Sequence, residues 1–287
     1  MKTVNLKKTL TSDAKGLLSF YEAANVRIHG EDVLEDAVAF TSHHLNRMVQ
    51  ELEPPLQCQV KRALEQPVHR GVPRLEARHY ISFYERNEPK NDILLKLAKL
   101  DFNYLQNLYK KELHDLSRWW NELDLISKLP YARDRLVESY FWGTAFRFQP
   151  QHSYARIAIT KRLKSASKEA IDWVMSEPNK ALIASTRVCR HADDIGSDER
   201  WIAMRSNMVY QKKKTVDKFK QLCENAWKDF NTEWSTEIST VSKDMMEQLL
   251  NYARAAEVNY RNGRDAYAHP QKIAGQIAAV FMHPIAI

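Results

Sequence analysis

The chain has 287 residues, 44% of them hydrophobic, and carries a net charge of +7. That length holds one large domain or two of ordinary size with a sizeable core. The basic residues are dispersed, with Lys212-Lys213-Lys214 the densest cluster, which argues against a nucleic-acid partner. Cys58, Cys189 and Cys223 lie far apart without metal-ligand spacing and fit a reducing compartment. The stretch Met1-Lys2-Thr3-Val4-Asn5-Leu6-Lys7-Lys8 lacks the apolar core of a signal peptide, and no apolar run approaches the ~18 residues of a membrane span. The expected address is the cytoplasm.

With 7 Gly, 10 Pro and many Leu, Ala, Lys, Glu and Arg, the chain reads as all-α. Asp13 to Arg27 is a helix with Leu17, Leu18, Tyr21 and Ala24 on one side, and Glu31 to Leu52 is a second, stopped by Pro54-Pro55. Leu56 to Leu64 and Pro73 to Tyr84 are short helices. Asn91-Asp92 opens a long helix from Ile93 to about His114, with Ile93, Leu94, Leu97, Leu100, Leu105 and Leu108 as its apolar face. A domain boundary is placed there, giving an N-terminal domain of residues 1–91 and a C-terminal domain of residues 92–287. Ser117 to Leu129 is a further helix, followed after Pro130 by one rich in aromatics and ended at Pro150. Ser153 to Lys164 and Glu169 to Glu177 are shorter. Asn179 caps the next helix, a long tract runs from Arg200 to about Phe230, and Met245 to Asn262 precedes a loop and a last helix from Gln271 to Met282. No strand signal or internal repeat is present.

One stretch is organised for chemistry: Arg187-Val188-Cys189-Arg190-His191-Ala192-Asp193-Asp194-Ile195-Gly196-Ser197. Arg190, Asp193 and Ser197 stand at i, i+3 and i+7 and share a helix face. A carboxylate and a hydroxyl one turn apart are hard oxygen ligands suited to Mg²⁺, and an arginine beside them can grip a phosphate. The alternative is a solvated face in which Arg190 pairs with Asp193 or Asp194.

Further motifs accompany it. Leu17-Leu18-Ser19-Phe20-Tyr21-Glu22-Ala23-Ala24 leads to His29-Gly30-Glu31-Asp32. Leu129-Pro130-Tyr131-Ala132-Arg133-Asp134-Arg135 precedes Tyr140-Phe141-Trp142. Tyr260 is followed by Asp265 and Tyr267. Together these resemble the plant terpene synthases, in particular the sesquiterpene cyclases acting on farnesyl diphosphate. The resemblance runs from about Asp13 to Ile287.

The resemblance implies a helical bundle that ionises a prenyl diphosphate with Mg²⁺ (Mn²⁺ as a substitute), releases diphosphate and cyclises the cation against aromatic faces. It implies that Arg133 and Arg135 close over the diphosphate, that Trp142 lines the pocket and that Arg190 grips diphosphate. Asp193 and Ser197 match two of the three ligands of the second metal motif, and Tyr260, Asp265 and Tyr267 match the late aromatic–carboxylate set.

Two departures stand against this. The family's aspartate-rich DDxxD motif is absent, and Lys161 runs through a basic stretch into Glu169-Ala170-Ile171-Asp172-Trp173, so an internal segment is missing near residues 161–169. The third ligand of the second motif should be Glu at position 201, which here is Trp201; Glu199 lies about 240° around the helix from Asp193. The chain is therefore expected to be a truncated sesquiterpene synthase relative, or else a non-catalytic helical protein binding a prenyl diphosphate or a partner. Missing core helices would expose apolar surface and favour oligomers.

Overall fold

The computed structural model describes residues 8–128, 179–202, 209–236, 243–261, 265–266 and 268–287. Every regular element among the described residues is helical. The first layer contains α1 (Ala14–Ala24), α2 (Asp32–Met48), α3 (Pro54–Glu65) and α4 (Pro73–Glu85). Asp13 caps α1 by accepting from the Gly16 N–H at 2.9 Å. Pro54 and Pro55, expected only as a stop for α2, form the first turn of α3. A first-turn N–H has no partner within the helix, so proline costs nothing there. Leu17, Leu45 and Val60 are fully buried where α1, α2 and α3 meet.

Next comes α5 (Asp92–Leu123), whose first N–H groups are held by Asn91: its Oδ1 accepts from Ile93 at 3.0 Å and Leu94 at 3.1 Å. The expected break between His114 and Ser117 is absent. No Gly or Pro stands there, and the buried Leu116 carries the helix through. The helix ends at Asp124, whose left-handed backbone (φ 49°) leads into α6 (Leu125–Lys128).

The apolar face expected for the start of α5 is corrected as well. Ile93, Leu94, Leu97 and Leu100 are exposed, while Leu95, Phe102, Tyr109 and Leu116, seven residues apart, are buried. Both sets have helical spacing; α4 and the C-terminal segment dock on the second. Arg74, buried on α4, donates to the Phe102 carbonyl at 3.1 Å and lies over the Phe102 ring at 4.2 Å. Asn103 exchanges two 2.8 Å hydrogen bonds with the Ile285 backbone, which fixes the C-terminal segment along α5.

The last helices are α7 (Lys180–Ile202), α8 (Val209–Ser235), α9 (Lys243–Tyr260) and α10 (Ala274–Phe281). Of the tract expected from Arg200 to Phe230, α7 covers the start up to Ile202 and α8 the part from Val209, and residues 203–208 lie outside the described residues. Asn179 caps α7 by accepting from the Leu182 N–H at 2.9 Å. Helices α7, α8 and α9 pack on one another around Trp227 and Phe230. Another apolar cluster joins Val72, just before α4, and Leu75 of α4 to Leu105, Tyr109 and Leu116 of α5 and to Val258 and Val280, so it draws on both sides of Asn91. The helices expected over 131–148, 153–164 and 169–177 lie outside the described residues.

A polar latch holds α8 and α9 to the first layer. Glu224 of α8 receives both Arg70, in a two-pronged pair, and Arg27, whose Nη2 is 2.9 Å away. Both arginines are buried. Arg27 also donates to Glu35 at 2.9 Å, and Lys228 pairs with Glu35. His69 Nε2 lies 2.9 Å from Asn231 Oδ1, while Asn231 Nδ2 donates to the Arg27 carbonyl at 3.0 Å. Arg254 of α9 donates to the His69 carbonyl at 2.8 Å. Burial pushes the His69 imidazole down to about 4, so it is neutral at pH 7.

Candidate functional site

The helical period brings Arg190, Asp193 and Asp194 together on the outer side of α7. The Arg190 side chain is 70% exposed and reaches forward along its own helix. Its Nη2 lies 2.8 Å from Asp194 Oδ1, and its Nη1 lies 3.9 Å from Asp193 Oδ2. The shorter pair is therefore with Asp194, the second carboxylate of the motif. Ser197 belongs to α7 by its backbone, and its side chain lies outside the described residues. On the opposite side of the helix, buried Ala184, Val188 and Ala192 face α8 and α9. Cys189, next to Arg190, is hydrogen-bonded to Tyr252 of α9; burial raises its thiol pKa, which keeps it protonated and unreactive. Arg187, one turn before Arg190, lies 3.8 Å from Asp229 of α8, which is also 2.9 Å from His29 of the first layer.

Tyr260 ends α9 and is partly buried. Asp265 organises the turn that follows: its Oδ1 accepts from the Ala268 N–H at 2.9 Å and its carbonyl from the His269 N–H at 2.7 Å. That bond accounts for one carboxylate oxygen in local capping. Arg133, Arg135, Trp142 and Tyr267 lie outside the described residues.

The Mg²⁺ or Mn²⁺ that the resemblance implies has limited means of attachment here. Among the described residues no three His, Cys, Asp or Glu side chains gather into a metal-binding group. Arg190 moreover sets a cation 2.8 Å from the Asp194 carboxylate. These residues do not by themselves fit a metal cluster. They do fit an anion, because an exposed guanidinium has donors left for a phosphate.

Two of the cavities among the described residues lie elsewhere, and neither is lined by Arg190, Asp193, Tyr260 or Asp265. One, of about 430 Å³, is bounded by Arg62, His79, Val258, Arg261 and Gln276. The other, of about 300 Å³, lies among α1, α3 and α4 and contains Glu22, Arg62, Glu76 and His79. Burial pushes the Glu22 carboxyl up to about 7, although the Val68 N–H donates to it at 2.9 Å. The folded protein thus keeps a proton that the unfolded chain releases near the ordinary carboxyl value of 4.5. Stability from this group falls as pH rises from about 4.5 to 7 and stays reduced above that. Glu22→Gln is expected to raise the melting temperature at pH 8 by a few degrees and to leave it unchanged at pH 4, read by thermal circular dichroism.

The sequence reading did not anticipate the latch around Glu224. Arg27 and Arg70 precede Glu224 by 197 and 154 residues, and no local pattern joins them.

No helix among the described residues is long and apolar enough to cross a membrane. A model of the terpene synthase N-terminal domain matches residues 1–64, and a model of the terpene synthase family metal binding domain matches residues 121–165. The chain is 34% identical to gamma-cadinene synthase of Ocimum basilicum over 408 residues, covering 96% of this chain and 75% of the relative. It is 31% identical to germacrene A synthase of Pogostemon cablin over 411 residues, covering 97% and 74%. Both alignments are far longer than the chain, so each relative has a long stretch without a counterpart here. Limonene synthase, solved with 2-fluorolinalyl diphosphate, superposes with a TM-score of 0.83 at 22% identity, over 98% of this chain and 76% of that one. Isoprene synthase from grey poplar (Populus x canescens), solved with three Mg²⁺ ions and dimethylallyl-S-thiolodiphosphate, gives 0.78 at 22% identity over 98% and 79%. The two structures share the all-helical fold. Identity above 30% across nearly the whole chain and three quarters of its relatives settles the kinship: the chain belongs to the terpene synthase family.

Proposed function

We propose that this chain recognises a prenyl diphosphate through its arginines and turns it over far more slowly than an intact relative. The observation that carries this reading is the 408-residue alignment to a chain of 287. The metal-binding match supports it by stopping at residue 165, inside the basic stretch where the sequence lacks a DDxxD segment. We place the missing piece near residues 161–169, within a C-terminal domain of residues 92–287. The relatives are plant sesquiterpene synthases, which supports farnesyl diphosphate as the substrate class; the cytoplasm is the setting we assign from the sequence. Arg190, exposed on α7, is the described group best placed to hold the diphosphate, with Arg133 and Arg135 assigned to the same anion by the family resemblance. Asp193 and Ser197 are assigned to a residual metal contact, and Trp142, Tyr260, Asp265 and Tyr267 to the hydrocarbon end of the pocket. Binding without efficient turnover follows, since a guanidinium holds a diphosphate in substrate and product alike and so lowers no barrier by itself.

Isothermal titration with inorganic diphosphate, with and without Mg²⁺, tests the recognition half. Binding is expected, and Arg190→Ala is expected to weaken it about tenfold or more while the melting temperature stays the same. Native protein that binds no diphosphate under either condition would overturn the reading.

A further inference from the structure

The face of α5 that the first turns leave outward is a seam. Ile93, Leu97, Leu100 and Tyr104 recur at steps of four, three and four residues, and they are 81%, 60%, 44% and 67% exposed. This is the a/d repeat of a two-helix coiled coil, with Leu97 and Tyr104 at a and with Ile93 and Leu100 at d. The buried Leu95, Phe102, Tyr109 and Leu116 all fall at f, directly opposite, so the helix is clamped to its own core by the far side. None of the four apolar clusters among the described residues includes a seam residue. The seam is bounded by Lys90 at the preceding a position and by Asn107 and Lys111 at the following d and a positions.

We propose that two copies of this chain associate through this seam, with their α5 helices parallel. The occupant is set by charge. In a parallel pair, each g position faces the e position five residues later on the partner. Lys96 is at g and Asp101 is at e, so each copy offers the cation and the anion the other requires. Both side chains are exposed, and among the described residues Asp101 has a 4.0 Å contact with Arg74. An antiparallel pair would set Lys96 against Asn103 and Asp101 against Leu94 and would form neither ion pair. The parallel two-fold arrangement stacks Ile93, Leu97, Leu100 and Tyr104 each on its own copy, the self-complementarity that a closed dimer requires.

Sedimentation velocity of the full chain at increasing concentration is the test. A monomer–dimer equilibrium is expected. Leu97→Glu should raise the dissociation constant about a hundredfold or more, with an unchanged far-ultraviolet circular dichroism spectrum because position 97 is exposed. Lys96→Glu should weaken the dimer about fivefold, and Lys96→Glu combined with Asp101→Lys should restore it. Leu97→Cys in a Cys58→Ser background should form a disulfide with itself across the two-fold axis. The proposal is overturned by a monomer at every concentration, including one whose position 97 resists thiol labelling because another part of the same chain covers it. It is equally overturned by open-ended aggregation, by a dimer that survives Leu97→Glu, or by a charge swap that fails to rescue.

Discussion

Glu224→Ala is expected to destabilise the fold by about 2–3 kcal/mol, less than the roughly 3–5 kcal/mol of a fully buried pair because the Glu224 side chain is 39% exposed and water can reach the vacated site. Arg70 is 3% exposed and Arg27 is 4% exposed, and Glu224 is the carboxylate they share. Arg27 retains Glu35, but among the described residues no other carboxylate is hydrogen-bonded to Arg70, so most of the loss falls on Arg70. Burial alone would raise the Glu224 carboxyl; Arg70 and Arg27 outweigh it and hold it at about 2. A carboxyl depressed by folding stabilises fully above the unfolded value near 4.5, and this stabilisation is lost as pH falls from there toward 2. Urea unfolding at pH 7 and pH 3 checks both points: Glu224→Ala should lower the midpoint strongly at pH 7 and less at pH 3. An equal loss at both values would mean that packing, and not the charge, is what Glu224 contributes. The consequence reaches the candidate site, because the latch sets α8 against the first layer and α7 rests on α8.

Turnover of farnesyl diphosphate with Mg²⁺ is expected to lie at least roughly 10⁴-fold below that of the Ocimum basilicum relative. Each preorganised electrostatic contact to a developing charge is worth roughly 10²–10³-fold in rate, and two sets are missing. The chain has no DDxxD, and Trp201 stands where the second motif requires a glutamate. Of the two adjacent carboxylates that remain, Asp194 is paired with Arg190 at 2.8 Å and Asp193 lies 3.9 Å from it. Gas chromatography of solvent extracts, with the relative assayed beside it, is the measurement. Efficient formation of a cyclic sesquiterpene would overturn the expectation and would mean that Asp194, Asp198 or Glu199 had rebuilt a metal site. Conversely, inserting the relative's DDxxD-bearing segment between Lys161 and Glu169, together with Trp201→Glu, should raise turnover.

The sequence by itself determined three of the helix starts, the fold class and the family. Asp13, Asn91 and Asn179 announce their helices because a cap is a contact between residues two or three apart. The line of Arg190 and Asp193 along one face was legible for the same reason, since helical geometry alone fixes it. Tertiary structure decided which of the two stripes of α5 is buried. Leu95-Phe102-Tyr109-Leu116 and Ile93-Leu97-Leu100-Tyr104 both satisfy a helical period, and only the docking of α4 and the C-terminal segment chooses between them. It also decided that α5 continues through Leu116, because burial against Val258 and Val280 outweighs the polar residues on either side of that position. The pairing of Arg27 and Arg70 with Glu224 was beyond the sequence, because charges so far apart in the chain meet only after the layers have packed. So was the choice of Asp194 over Asp193 as the nearer partner of Arg190: both spacings are allowed on a helix, and the side-chain rotamer selects one.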